Sequence, residues 1–154
     1  DRPEAHLTII GDGSERAMLE SAAADLVAAG RVEFRGRLGQ PEIARCLRSC
    51  AVVVVPSLWP EVFGRVALEA MQTGRAVVAS RTGGLPELVD ERNGRLVEPG
   101  DVDGLERALS ELLGDRALLE RLGAESARRA KGFAMDAVLD EHEAHYAAIL
   151  AGSH

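Results

Sequence analysis

The chain has 154 residues, enough for one domain with a hydrophobic core, and it combines a formal net charge of −7 with only 3% aromatic residues. Such an acidic chain lacks the basic footprint that nucleic-acid phosphates require, so no nucleic-acid partner is expected. No apolar run reaches the length of a membrane span and no signal-peptide pattern is present, so at most peripheral membrane contact is expected. These features favour a cytoplasmic protein, and the abundance of Ala, Arg, Gly and Val is typical of a bacterial source.

The first predicted elements are a strand and a helix joined by a glycine-rich turn. Leu7–Ile10 is a short apolar strand, Gly11-Asp12-Gly13-Ser14 is the turn, and a helix follows from about Glu15 to Ala29. Ser14 is the predicted N-cap of this helix and Gly30 its stop. A glycine-rich turn lets a ligand approach the backbone, but a plain tight turn explains the same residues at least as well.

The next segment carries a second strand, a short helix and the two cysteines. Val32–Arg35 is predicted as a strand that leads into Gly36-Arg37-Leu38, and a helix begins near Pro41. Cys46 and Cys50 are one helical turn apart, with no second Cys or His pair nearby. This spacing favours free thiols over a metal site, and free thiols are typical of a reducing compartment.

A strand, a loop and a helix occupy the centre of the sequence. Val52–Val55 has the continuous apolar pattern of a buried parallel strand, and a helix is expected from about Phe63 to Gly74. A helix N-terminus binds anions because its first amides lack internal acceptors and the helix dipole adds positive charge. Glu61 in the loop and Glu69 in the helix flank that N-terminus, about 12 Å apart at the helical rise. Carboxylates accept hydrogen bonds only, so the pair suits a ligand with hydroxyl groups on both sides of a phosphate, although E-x7-E alone more often marks two solvated acids.

The remaining sequence predicts further α/β elements. In chain order these are a buried strand at Ala76–Ala79, a tight loop at Arg81–Glu87, a short helix holding Leu88 and Val89, a hairpin-like turn at Asn93-Gly94, a strand at Leu96-Val97, and helices from Asp101 or Asp103, from about Arg116 to Ala130 and from about Met135 to Ala151. The alternation of strands and helices predicts an α/β fold, a parallel sheet with helices on both faces. In the last helix, His142 and His145 stand near two glutamates, where a solvated charged face is favoured over a metal site.

Several separated motifs resemble those of the retaining glycosyltransferases of family 4, which have the GT-B fold. The donor-site signature of that family, E-x7-E, lies here within EVFGRVALEAMQTGRAVVAS, from Glu61 to Ser80. The order and spacing of the family are also followed by LTIIGDGSERAMLE, VEFRGRL, RTGGLPELV, NGRLVEPGD and the GFA near Phe133. The resemblance covers nearly the whole chain. It implies that residues 1–151 form a partial C-terminal donor-binding domain with a Rossmann-like sheet.

The resemblance also implies a donor site for a nucleotide-diphosphate sugar and a sugar-transferring enzyme of the hexosyltransferase class. Glu61 would be the catalytic carboxylate that holds hydroxyls of the donor sugar, and Glu69 would accept hydrogen bonds from the ribose. Amides near Gly64 would stabilise charge on the leaving diphosphate. The implied donor contacts are Glu69, Val62, Phe63, Gly64, Arg65, Gly11, Gly13, Arg37, Leu38, Gly83 and Gly84. Alternatively, Gly83 and Gly84 form only a structural turn, and Arg65 is a solvated helix arginine. No Asp-x-Asp motif accompanies the site, so neither an obligatory metal nor a cofactor beyond the donor is expected.

Parts of the family pattern are missing, and the chain opens on Asp1, so we expect a piece of a longer protein that is inactive alone. In the family, an opening strand lies between the strands that match Leu7–Ile10 and Val52–Val55. We expect a rearranged or swapped sheet centre: these two strands pair directly, another chain fills the gap, or the segment lies outside this sequence. The Arg and Lys that grip the diphosphate and the N-terminal acceptor domain are also absent. The apolar stripe of the last helix, which in the family packs towards that domain, predicts self-association.

Two other functions are alternatives to a transferase. A noncatalytic nucleotide-sugar-binding fragment would keep the donor contacts and lack transfer. A nicotinamide dehydrogenase would require G-x-G-x-x-G after the first strand, but Arg16 stands where the third glycine belongs. The dehydrogenase is therefore disfavoured.

Overall fold

Parallel β-pairing organises both parts of the chain. The structure is a computed structural model that describes residues 4–134 and, beyond them, Leu139, His142, Glu143, His145, Tyr146 and Ile149. The chain forms two compact units, Asp1–Cys46 and Leu47–His154. The assignment of residues 1–151 to a single partial domain stays a prediction.

The first unit is built on a two-stranded parallel sheet. Strand β1 (Leu7–Ile10) pairs with β2 (Val32–Gly36), and helices α1 (Arg16–Ala22) and α2 (Ala24–Ala28) connect them. The single helix predicted here is interrupted at Ala23. The predicted N-cap is wrong, because Glu15 holds that position and the hydroxyl of Ser14 donates instead to the carboxylate of Glu15.

The second unit contains a three-stranded parallel sheet in the order β3-β4-β5, preceded by a helix that begins in the first unit. Its elements in chain order are α3 (Gln40–Ser49), β3 (Val52–Val55), α4 (Arg65–Gln72), β4 (Ala76–Ser80), α5 (Leu85–Leu88), β5 (Gly94–Val97), α6 (Val102–Gly114), α7 (Arg116–Ala130) and a 3₁₀ turn (Lys131–Phe133). All three strands run parallel, so every connection between them crosses over through a helix. The expected fold class, parallel sheets flanked by helices, is confirmed.

The core of the second unit surrounds its central strand, β4. All five residues of β4 are buried, as expected for a strand that helices cover on both faces. Ala76 and Val78 pack with Ala108, Leu112 and Leu122 of helices α6 and α7. Helix α4 contributes its own buried stripe, which consists of Ala67, Ala70 and Met71.

The hairpin-like turn predicted at Asn93-Gly94 is wrong. Gly94 is the first residue of β5, which pairs in parallel with β4 rather than folding back in a hairpin. A Cβ at Gly94 would overlap the carbonyl oxygen of Val77, so glycine is needed for close approach of two backbones. Asn93 is fully buried; its side chain accepts from the amide of Asp90 and donates to the carbonyl of Leu88.

The pairing of the strands excludes one of the three explanations for the missing family strand. Among the described residues, β1 pairs only with β2, and β3 pairs only with β4. Direct pairing of Leu7–Ile10 with Val52–Val55 is therefore wrong. The other two alternatives, a second chain or a segment outside this sequence, stay predictions.

The predicted last helix lies largely outside the described residues. Its described members are helical and exposed; they include His142 and His145, and the apolar side chains Leu139, Tyr146 and Ile149. Within the part of the chain that the structure describes, no group of three or more His, Cys, Asp or Glu residues could hold a metal ion. Nor is any described helix long and apolar enough to cross a membrane.

Candidate functional site

The entrance to α4 is a sharp backbone turn at Gly64. This residue has φ +78° and ψ +49°, the left-handed conformation that glycine adopts without strain. A Cβ there would also lie 2.7 Å from Cδ2 of Leu85 and 3.2 Å from Cδ1 of Leu88, so α5 packs directly against this turn. Among the residues that the structure describes, no side chain caps this helix. The first amides of α4 therefore keep their donor capacity, and their predicted role in binding a ligand stays a prediction.

Glu61 lies in the loop that precedes this turn, and its carboxylate is held by a neighbouring hydroxyl. Ser57 Oγ donates to Glu61 Oε1 at 2.8 Å, and both side chains are half-buried. Ser57 follows Pro56, two residues after the last residue of β3. Sequence reasoning missed this contact, although a hydroxyl residue four positions before the acid is a visible signal. The bond leaves Glu61 Oε2 as an acceptor with no protein donor among the described residues.

Gly83 and Gly84 lie against the backbone of the Glu61 loop. The amide of Gly84 donates to the carbonyl oxygen of Glu61 at 2.7 Å. A Cβ on Gly83 would overlap that same carbonyl, and a Cβ on Gly84 would lie 2.7 Å from the carbonyl oxygen of Val62. The two glycines are therefore brought to the predicted site, and they support Glu61 through tight backbone packing.

Glu69 lies within α4, one helical turn after Arg65. Arg65 Nη2 lies 3.3 Å from Glu69 Oε1. The arginine side chain is 75% exposed, so this is a solvent-screened i,i+4 pair that contributes only a few tenths of a kcal/mol. A ligand hydroxyl can displace so weak a partner from the Glu69 carboxylate.

The loop before α4 also presents apolar side chains to solvent. The side chains of Val62 and Trp59 are largely exposed to solvent. The side chain of Phe63 is less exposed, because its ring packs edge-on against the ring of Phe133 with 6.3 Å between the ring centroids. The aromatic pair ties the start of α4 to the segment that follows α7. Val62, Phe63, Gly64 and Arg65 thus stand together at one helix entrance, as the sequence predicts.

The four predicted contacts in the first unit lie at the carboxyl ends of β1 and β2. The amide of Gly11, which has φ +131°, donates to the carbonyl of Gly36 at 2.8 Å, and the amide of Gly13 donates to the side chain of Asp12. The turn after β1 and the loop after β2 are therefore neighbours. That loop carries Arg37, which is exposed, and Leu38, which is half-buried.

Arg16 is a further residue of this edge, and no pattern in the sequence selects it. Its guanidinium donates to the carbonyl of Phe34 and pairs with Glu20 at 2.7 Å. A Cβ on Gly36, which has φ +63°, would lie 2.9 Å from Arg16 Nη1. Gly36 thus leaves space for a guanidinium beside the loop that carries Arg37.

Comparison with known proteins decides the family. The family of glycosyl transferases group 1 matches residues 1–129. The chain belongs to this family. Among individual relatives, the D-inositol 3-phosphate glycosyltransferase of Streptomyces avermitilis is 41% identical over 119 residues, which are 77% of this chain and 25% of that protein. The chain thus spans about a quarter of the length of this relative.

Solved structures agree with the fold. HepE of Anabaena in complex with UDP superimposes with a TM-score of 0.81 at 28% identity, covering 95% of this chain and 41% of HepE. The complex of HepE with UDP-glucose gives a TM-score of 0.72 at 29% identity, over 84% of this chain and 36% of HepE. The GT-B type of fold expected from the motifs is confirmed by these neighbours.

Proposed function

We propose that this chain is the donor-binding part of a retaining glycosyltransferase of family 4. It binds a nucleotide-diphosphate sugar at the N-terminus of α4 and, joined to an N-terminal acceptor domain, transfers the sugar with retention of configuration. The observation that carries the proposal is the uncapped entrance of α4, with Glu61 held before it by Ser57 and Glu69 one turn inside it. The similarity to HepE, whose complexes contain UDP and UDP-glucose, supports the same ligand class.

Each part of the donor has a matching group at this site. The diphosphate faces the first amides of α4, where the helix dipole favours negative charge and stabilises the charge that develops on the leaving group. Glu61 accepts hydrogen bonds from donor-sugar hydroxyls through its free oxygen and positions the anomeric carbon. Glu69 exchanges its weak arginine partner for ribose hydroxyls. Gly11, Gly13, Arg37 and Leu38 remain proposed contacts of the nucleotide, with no metal or cofactor required.

A noncatalytic nucleotide-sugar-binding module is the second candidate. The same groups that bind the donor suffice for it, and the chain spans only a quarter of its glycosyltransferase relative. The two candidates differ only in transfer, which is measured with a longer protein that contains this chain. Loss of sugar transfer in its Glu61→Gln variant, with nucleotide binding retained, supports the enzyme.

Calorimetric titration of the 154-residue chain with UDP, UDP-glucose and a GDP-sugar tests donor binding. We expect saturable binding of at least one nucleotide sugar, unchanged by EDTA. Glu61→Gln weakens binding of the sugar nucleotide but not of the free nucleotide, because Glu61 contacts the sugar. Glu69→Gln weakens both, because the ribose is common to them. Each loss is about tenfold, the effect of one hydrogen bond to a charged group.

The matched control is Glu106→Gln, which neutralises an exposed acid on α6. It should bind like the unmodified chain. No saturable binding of any nucleotide sugar, or equal affinities for all three variants and the unmodified chain, would overturn the proposal. The single tryptophan, Trp59, lies two residues before Glu61, and its fluorescence provides an independent signal of occupancy.

A further inference from the structure

A cluster of arginines lies on the surface formed by α7 and the α5–β5 connection, and it shares no residue with the α4 entrance. A depression of about 490 Å³ there is lined by Arg92, Arg121, Ala124, Glu125 and Arg128. Three of its five lining residues carry positive charge, although the chain as a whole carries −7. We call this feature the arginine depression.

The carboxylates at the arginine depression are already occupied by guanidinium groups. Glu125 receives two bonds from Arg128, Nε to Oε2 at 2.8 Å and Nη2 to Oε1 at 2.6 Å. Asp90, which is bonded to Arg92 but does not line the depression, accepts a hydrogen bond from Arg92 Nη2 at 2.7 Å and forms an ion pair with Arg129 Nη1 at 2.6 Å. These bonds fix the guanidinium planes of Arg92 and Arg128 without using all of their donors.

The groups that remain for a ligand are therefore donors. Nη1 of Arg92 and Nη1 of Arg128 take no part in the carboxylate bonds. The side chain of Arg121 makes no hydrogen bond or ion pair with any residue that the structure describes. Including Arg129, four arginines meet two carboxylates, which leaves an excess of two positive charges.

The arginines of this surface outnumber its carboxylates. Hydrogen bonds from Arg92 to Asp90, together with the charges of Asp90 and Glu125, raise the pKa of Arg92, and the nearby Arg128 only lessens that rise. An anion placed between the arginines would balance the excess positive charge. A phosphate monoester suits the site best, because it carries nearly two negative charges at neutral pH and its oxygens only accept hydrogen bonds.

We propose that the arginine depression binds a phosphate monoester, at a site separate from the donor site at α4. The unbonded donors of Arg92, Arg121 and Arg128 belong to side chains that line one depression, where a single phosphoryl group would accept from them, and its two charges match the local excess. The phosphoryl group belongs either to a soluble compound or to the headgroup of an anionic lipid. The volume admits the phosphoryl group together with part of the molecule that bears it.

The test titrates the 154-residue chain with inorganic phosphate and, in parallel, sediments it with phosphatidylcholine vesicles that contain phosphatidic acid. Among the described residues, Arg121 is the arginine of the depression whose side chain has no protein partner, so Arg121→Gln should leave the fold intact. Arg116→Gln is the control, since Arg116 lies on the same helix, pairs with Glu120 and does not line the depression.

We expect saturable binding that Arg121→Gln weakens about tenfold and Arg116→Gln leaves unchanged, in at least one of the two arms. Binding of free phosphate identifies a soluble ligand, and binding confined to the phosphatidic acid vesicles identifies a lipid headgroup. Binding of UDP should be the same in both variants. Lack of saturable binding in both arms, or equal weakening by the two substitutions, would overturn the proposal.

Discussion

At the scale of single residues, Gly84 shows how the structure leaves no room for a side chain beside the candidate catalytic acid. Its φ is −80°, which any residue can adopt, so backbone strain does not require glycine here. The requirement is steric, because a Cβ would lie 2.7 Å from the carbonyl oxygen of Val62. The backbone of the Glu61 loop would have to move away.

Replacement of Gly84 by alanine tests this packing. We expect Gly84→Ala to lower the free energy of unfolding by about 1–3 kcal/mol, the usual effect of overpacking, and to weaken binding of UDP-glucose. Urea unfolding and calorimetry measure the two effects. The control is Gly132→Ala, because a Cβ at Gly132 meets nothing within 4 Å. If both variants keep the original stability, the loop accommodates the methyl group and the inferred support of Glu61 is wrong.

Ser57 is the residue that the structure adds to the predicted donor site. It neither lies in the E-x7-E signature nor reaches the helix, yet its hydroxyl binds one oxygen of Glu61 at 2.8 Å. A carboxylate fixed in this way presents its other oxygen in a defined direction. Ser57 thus acts as a positioning residue for the proposed sugar contact.

We expect Ser57→Ala to weaken binding of UDP-glucose about three- to tenfold, the value of one ordinary hydrogen bond, with UDP affinity unchanged. Ser57→Thr keeps the hydroxyl and should retain most of the affinity. A purely structural role predicts equal losses for UDP and UDP-glucose together with reduced stability. Parallel titrations of the two ligands with both variants distinguish these outcomes.

At the scale of elements, one ion-pair group fastens α7 to the connection between α5 and β5. Arg129 of α7 pairs with Asp90 and donates to the carbonyl of Glu87 at 3.0 Å. Hydrogen bonds from Arg92, helped by the charge of Arg129, lower the pKa of Asp90 from 3.8 to about 2. The folded chain therefore binds the Asp90 proton less tightly than the unfolded chain does, and this difference stabilises the fold above pH 4.

The contribution of Asp90 should disappear as the pH falls from about 4 to 2. The shift would correspond to more than 2 kcal/mol, but the side chain is 33% exposed, so we expect about 1 kcal/mol after solvent screening. Asp90→Asn should lower the free energy of unfolding by this amount at pH 6. At pH 2 the variant and the unmodified chain should converge. Urea unfolding at both pH values measures the effect, and an equal difference at the two would contradict it.

The helices and strands also show which structural features could be predicted from the sequence. Apolar runs predicted β3 and β4 closely, and Gly74 predicted the end of α4, because burial and helix termination leave local signals. The hairpin prediction at Asn93-Gly94 was wrong, because the glycine that favours a hairpin turn also allows close packing of parallel strands. That packing depends on Val77, which is distant in sequence.

The candidate site likewise has features that the sequence predicts and features that only the structure shows. The resemblance to the family selected Glu61 and Glu69 from an otherwise weak spacing, and the structure gives them the predicted loop and helix positions. The hydrogen bond of Ser57 and the backbone contact of Gly84 required coordinates, because each depends on how a loop folds back. Spacing specifies which residues are near one another along a helix, whereas loop geometry is set by tertiary contacts.

At the scale of the whole molecule, the two compact units differ in how much they bury. In the first unit, neither α1 nor α2 contains a buried residue, and β1 has none either. In the second unit, all of β4 is buried together with Met71, Leu112 and Leu122. Because burial of apolar surface is the main stabilising contribution, the first unit should have the lower local stability.

Amide hydrogen exchange of the 154-residue chain, read by mass spectrometry, measures this difference. We expect amides of β4 to exchange last, at a rate set by global unfolding, because opening them requires loss of the packing that α4, α6 and α7 provide. Amides of β1, α1 and α2 should exchange at least tenfold faster through local opening, since a difference of only 1.4 kcal/mol in opening free energy gives that factor. Peptides from the 3₁₀ turn at Lys131–Phe133, whose residues are not buried, provide a fast internal standard. Equal protection of β1 and β4 would mean that the first unit opens only with the second, and the burial argument would then fail.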